Sequence, residues 1–117
     1  MSRKTPEKTK VQDKVMKLLK FRDDVIDLER TPSFRYGRVT LGTPGCSDIK
    51  VVFDCGDGTI ALLYLECKAP GVSVEVCDLP YEQRRFAESK EGKPKTLYRV
   101  INDPRMLKGI IREVKAF

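Results

Sequence analysis

The chain contains no histidine. Without an imidazole, Ser-His-Asp and Cys-His nucleophilic catalysis are excluded, and a Cys/His zinc site cannot be completed. Cysteine is scarce and poorly spaced for a metal: Cys46, Cys55, Cys67 and Cys77 lie 9, 12 and 10 positions apart, with no CxxC pair. Such thiols read as reduced and partly buried in a cytosolic protein. No apolar run approaches the roughly 20 residues that span a bilayer. The N-terminus is polar and basic and is followed by no apolar region, unlike a secretory signal. These absences lead to the expectation of a cytoplasmic protein, a single domain over residues 1–117 with residues 1–4 disordered.

Charge is plentiful and uneven. The formal net charge is +6, with 34% charged and 40% hydrophobic residues. Residues 1–20 carry seven Lys/Arg against two acids, and residues 82–117 carry ten against five, whereas residues 21–81 carry six against ten. An acidic centre between basic ends suits a metal site set in a surface that attracts a polyanion.

Hydrophobic spacing divides the chain into elements. Thr5-Pro6-Glu7 has the chemistry of a helix start. Val11, Val15, Leu18, Leu19, Arg22, Val25 and Ile26 then recur at intervals of three and four, which predicts one helix reaching the late twenties and broken at Thr31-Pro32. Phe34–Leu41 reads as a strand exposed on one side. After the Gly42–Gly45 turn, Asp48–Asp54 reads as a second strand, and Gly56-Asp57-Gly58 is a hairpin signal. Thr59–Lys68 is a third strand, apolar enough to sit centrally in the sheet. Residues 72–78 fit a short strand or an ordered loop. Pro80 opens a helix to about Lys90, Thr96–Ile101 is a fourth strand, and Asp103 caps a last helix striped by Met106, Leu107, Ile110, Ile111 and Val114. The predicted order is α-β-β-β-α-β-α.

The chemistry-bearing residues fall at strand ends. Asp48 starts the second strand, and Glu66 and Lys68 stand at the end of the third, on one face because side chains at i and i+2 point alike. If those strands are neighbours, two carboxylates and an ammonium converge. That set suits magnesium-dependent attack of water on a phosphodiester: Asp48 and Glu66 would bind Mg²⁺ or Mn²⁺ with the main-chain carbonyl of Cys67. Lys68 would orient or deprotonate the attacking water and stabilise developing negative charge.

Three segments together carry a family resemblance: Gly42-Thr43-Pro44-Gly45-Cys46-Ser47-Asp48-Ile49, Tyr64-Leu65-Glu66-Cys67-Lys68, and Pro80-Tyr81-Glu82-Gln83-Arg84-Arg85-Phe86. They resemble the virus-type replication-repair nuclease (VRR-NUC) domain of the PD-(D/E)XK superfamily, over roughly residues 8 to 112. The resemblance implies an α/β, restriction-endonuclease-like αβββαβ core, a mixed central sheet flanked by helices, here followed by a C-terminal helix. It also implies Mg²⁺-dependent DNA cleavage, with Asp48, Glu66 and Lys68 in the catalytic positions and Gln83 leaning over the site to orient water or a phosphate. Short stand-alone members, often found in phage or prophage genomes, resemble Holliday junction resolvases. From them follows the expectation of a homodimer that presents two sites to branched DNA. Related nucleases often place a Glu on the first helix. Here Lys10 aligns with it, leaving Gln12 or Glu7 to substitute, or the acid to be dispensable.

Candidate phosphate contacts are Lys10, Lys14, Lys17, Arg35, Arg38, Arg84, Arg85 and Lys93, which would position DNA without reading its sequence. The expected function is thus a metal-dependent, structure-selective DNA endonuclease. The competing readings are a nuclease on flaps, nicks or linear duplex, and a DNA-binding module that cuts nothing.

Overall fold

In the computed structural model, residues 7–30, 35–36, 39–40 and 47–117 are described. Helix α1 spans Glu7–Lys20. The strands are β1 Val25–Arg30, β2 Arg35–Tyr36, β3 Val39–Thr40, β4 Ile49–Asp54, β5 Ile60–Cys67 and β6 Thr96–Ile101, and the later helices are α2 Tyr81–Lys90 and α3 Leu107–Ala116. Short 3₁₀ turns cover Val76–Asp78 and Pro104–Met106.

The architecture is α/β, built on one four-stranded mixed sheet in the order β1-β4-β5-β6. Strands β1, β4 and β5 are antiparallel in succession, and β6 runs parallel to β5. A parallel neighbour cannot be reached by a hairpin, so the chain crosses from β5 to β6 through α2. The β4–β5 connection is a tight turn. Asp54 Oδ1 accepts from the Gly56 N–H at 2.8 Å, and Gly56 and Gly58 take φ values of +82° and +86° that only glycine adopts freely.

Alternation along β5 splits the core in two. Ala61, Leu63, Leu65 and Cys67 face α1 and α3, where they join Val11, Val15, Leu19, Ile49, Phe53, Ile111 and Val114 in one buried cluster. The opposite face is covered by α2, whose Ala87 and half-buried Phe86 pack with Leu79, Tyr98, Val100 and Tyr64. Phe86 meets Tyr64 edge-on with ring centroids 5.5 Å apart and Tyr98 at 6.0 Å, which seats α2 across β5 and β6.

Two sequence expectations are corrected. The first helix does not reach the late twenties: it ends at Lys20, and Val25–Arg30 forms an edge strand of the sheet. The break is built from Arg22, whose guanidinium holds both Asp24 oxygens at 2.9 and 2.8 Å, while Asp24 also pairs with Lys115 and its carbonyl accepts from Asp54 N–H. These contacts turn the chain toward β4 and hold the Asp24 carboxyl well below the usual carboxylate range, chiefly through Arg22. Leu18 leaves the buried stripe as well and is exposed. The second correction concerns Phe34–Leu41, which is not a single strand of the sheet. Its described residues form two short strands, β2 and β3, that pair with each other antiparallel in a separate two-stranded sheet.

The 72–78 segment contains a 3₁₀ turn, while Asp103 accepts from the Arg105 N–H at the start of the turn leading into α3. Residues 1–6, the Thr31-Pro32 break, Arg38 and the turn through Cys46 lie outside the described residues. Among the described residues, no helix is long and apolar enough to cross a membrane.

Candidate active site

Asp48 and Glu66 are brought together by strand register. Ile49 pairs with Leu65 across the antiparallel β4–β5 ladder, so the next positions outward are Asp48 and Glu66. Both side chains are withdrawn from water: Asp48 is 8% exposed and Glu66 only 1%. Just before Asp48, the buried Ser47 hydroxyl donates to the Ile49 carbonyl at 3.1 Å and fixes the entry into β4. Asp48 Oδ2 accepts from the Cys67 N–H at 2.9 Å, locking the carboxylate against the end of β5. In a strand, the N–H and C=O of one residue point to the same side. The Cys67 carbonyl is thereby carried toward Asp48 too, whereas the Lys68 N–H turns the other way and bonds Ile101 O at 2.9 Å.

Lys68 and Gln83 complete the α2 side. Lys68 Nζ lies 3.7 Å from Glu66 Oε1 and donates to Gln83 Oε1 at 3.1 Å. Gln83 reaches this position because it precedes Phe86 and Ala87 by three and four residues, on the helix face that packs on the sheet. The four residues singled out from the sequence, Asp48, Glu66, Lys68 and Gln83, thus occupy one cluster.

A fifth residue, absent from the sequence reading, belongs to the same cluster. Lys8 Nζ stands 3.3 Å from Asp48 Oδ2 and 3.7 Å from Glu66 Oε1. It comes from the first turn of α1, three residues before the buried Val11 and four before the buried Gln12. Of the two expected substitutes for a first-helix acid, Gln12 is buried on α1, whereas Glu7 does not fill this place. Glu7 is exposed and pairs with Lys10 at 3.3 Å, which also takes Lys10 away from the carboxylates, and Asp13 pairs with Arg30 at 3.0 Å. The sequence held only a weak signal for Lys8, which lies three residues before Val11 and so beside the end of the apolar stripe.

Of the candidate phosphate contacts, Lys14 and Lys17 are exposed on α1, and Arg84 is half-buried on α2. Arg85 lies over the Tyr81 ring at 6.0 Å from its centroid. Lys93 is exposed in the turn before β6, Arg35 is placed by its backbone in β2, and Arg38 lies outside the described residues.

Burial shapes the electrostatics. Desolvation, then the charge of Asp48, lifts Glu66 from its usual 4.5 to about 7, with Lys8 and Lys68 opposing. The same burial, with both neighbouring carboxylates, pushes the Cys67 thiol up to about 12. Lys8 is pulled down by burial, but the charges of Asp48 and Glu66 outweigh that and hold it above its usual value.

The donor set was tested against a hard divalent cation. Glu66 Oε2 is buried and has no hydrogen-bond partner among the described residues, an arrangement that is rare in folded proteins. Among the described residues no group of three or more His, Cys, Asp or Glu is placed to hold a metal. Magnesium needs less, since one or two carboxylates with waters and substrate phosphates satisfy it. Asp48, Glu66 and the Cys67 carbonyl fit that requirement. No family model, no curated protein and no solved structure matches this chain.

Proposed function

We propose that the chain is a metal-dependent, structure-selective DNA endonuclease of the VRR-NUC type, with the restriction-endonuclease-like fold of the PD-(D/E)XK superfamily. The observation that carries this reading is the buried Asp48–Glu66 pair, with Lys68 two residues beyond Glu66 and one Glu66 oxygen left without a donor among the described residues. The element order around it also supports the reading. With β1 in the place of the first strand, the sheet and its helices follow α-β-β-β-α-β-α.

Phosphodiester hydrolysis needs neutralised phosphate oxygens, an activated water and help for the leaving oxygen. A Mg²⁺ or Mn²⁺ ion held by Asp48, Glu66 and the Cys67 carbonyl would act as a Lewis acid and make water a better nucleophile. The chain's own residues do the rest. The Cys67 N–H fixes the Asp48 carboxylate, and β5 holds Glu66 beside it. Lys68, braced by Gln83, presents an ammonium to the charge that develops on the phosphate. With no histidine in the chain, Lys68 is the side chain that would orient the attacking water as a hydrogen-bond donor.

The substrate class we propose is branched DNA, with a homodimer delivering two sites to a four-way junction. A panel of labelled four-way junction, flap, nicked and linear duplex DNA, incubated with Mg²⁺ or Mn²⁺, tests the reading. The expected result is paired nicks in the junction ahead of all other substrates. Preferential cutting of flaps or nicks would move the activity to those structures, and binding with no cutting in either metal would leave a non-cleaving DNA-binding module. Sedimentation of a monomer both with and without junction would remove the paired-cut mechanism.

A further inference from the structure

The position of Lys8 has a consequence for how a divalent ion enters, if the metal reading above holds. Its ammonium lies between Asp48 Oδ2 and Glu66 Oε1, at 3.3 and 3.7 Å. A magnesium ion bonds oxygen at about 2.0–2.1 Å, so an ion bonded to both of these oxygens would occupy the space that the ammonium now fills. Two cations cannot share it, because nothing lies between them to screen their repulsion.

The two lysines of the cluster differ in how firmly they are held. Lys68 is tethered to Gln83, and its side chain is 18% exposed. The Lys8 side chain is 42% exposed and rises from the first turn of a helix, so water can receive its ammonium once the two ion pairs are broken. We propose that Lys8 is an internal competitor for the divalent ion: its ammonium must leave the Asp48–Glu66 pair before the ion binds, and this exchange sets the metal affinity of the site. Lys8 is a positioning residue in this account. It holds two buried carboxylates in place and weakens metal binding by the work needed to displace it.

The test is Mn²⁺ binding followed by titration calorimetry on wild type, Lys8→Gln and the control Lys10→Gln, without DNA. Lys10→Gln removes the same charge from the same helix, but at a residue that pairs with Glu7. Lys8→Gln is expected to bind Mn²⁺ roughly tenfold more tightly than wild type, with Lys10→Gln near wild type. Equal or weaker Mn²⁺ binding by Lys8→Gln, beside measurable binding by wild type, overturns the proposal and leaves the metal reading standing. Absence of Mn²⁺ binding in wild type overturns both. A second measurement needs no variant: mass-spectrometric footprinting of wild-type lysines with an amine-reactive ester, with and without Mn²⁺. Released from its two ion pairs, Lys8 is expected to label several-fold faster with Mn²⁺ while Lys10 is unchanged. Unchanged or reduced Lys8 labelling at saturating Mn²⁺ contradicts displacement.

Discussion

Among the described residues, sixteen on the α1/α3 face of the sheet, from Val11 to Val114, are buried in one largely aliphatic cluster, while on the α2 face Leu79, Ala87, Tyr98 and Val100 are buried together. The same strand serves both. Leu63 and Leu65 of β5 point into the large cluster, and Glu66 and Lys68 point away from it. Ionising a carboxylate as deeply buried as Glu66 is unfavourable. The aliphatic face supplies the stability that lets the other face carry this load. Charge and chemistry therefore gather where the core is thin, at the open end of β4 and β5.

Removing function from the polar side should cost the most activity and the least stability. Lys68→Ala is expected to slow junction cleavage by roughly 10²–10⁴, with the urea midpoint shifted by less than about 1 kcal/mol equivalent. Leu63→Ala, on the aliphatic face, should do the reverse. It is expected to lose about 2–5 kcal/mol in denaturant unfolding, with the remaining folded protein cutting at the wild-type rate. Phe86→Ala sits between them. Because Phe86 is half-buried, a loss nearer about 1–2 kcal/mol is expected, together with slower cleavage as α2 and Gln83 lose their seat. If Phe86→Ala destabilises as much as Leu63→Ala, the two faces are not divided as described.

Glu66 gives the comparison a pH signature. An acid whose pKa is raised on folding holds its proton more tightly in the native state than in the unfolded chain. Stability is therefore withdrawn as pH climbs from about 4.5 to about 7, and the full penalty stands above that range. In chelator-treated buffer, Glu66→Gln is expected to exceed wild type by about 1–3 kcal/mol above neutral pH and to converge with it below about pH 4. Thermal unfolding across that range checks the sign; a variant less stable than wild type at alkaline pH would reverse it. The smallest effect belongs to Gln83→Ala, for which about tenfold slower cleavage and a stability change within about 0.5 kcal/mol are expected. A larger stability loss would make Gln83 part of the α2 anchor instead.

The strands and helices from Ile49 onward were legible in the sequence because local signals agreed. The glycines of the β4–β5 turn, the Pro before α2, the Asp103 cap and the stripe of α3 each mark a boundary. The region before Ile49 was harder for a physical reason. Val25 and Ile26 continue the three-and-four spacing of α1, and β1 is an edge strand whose Ile26, Asp27, Glu29 and Arg30 are all exposed, so it carries no clean alternation. What ends α1 is partly tertiary: beside the local Arg22–Asp24 pair, Lys115 reaches Asp24 and the Asp24 carbonyl is bonded by β4. The juxtaposition of Asp48, Glu66 and Lys68 followed from strand neighbours and spacing, while Gln83 was expected there only from the family resemblance. Lys8 was not expected, because a lysine just before an amphipathic stripe looks like any solvated charge until its distance to Asp48 is known.

The most direct test of the central claim is cleavage of a labelled four-way junction by wild type and by the near-isosteric variants Asp48→Asn and Glu66→Gln, each with EDTA and with saturating Mg²⁺. The account predicts cutting by wild type in Mg²⁺ alone, and none by either folded variant. Cutting that persists in EDTA, or in both variants at the wild-type rate, would contradict it.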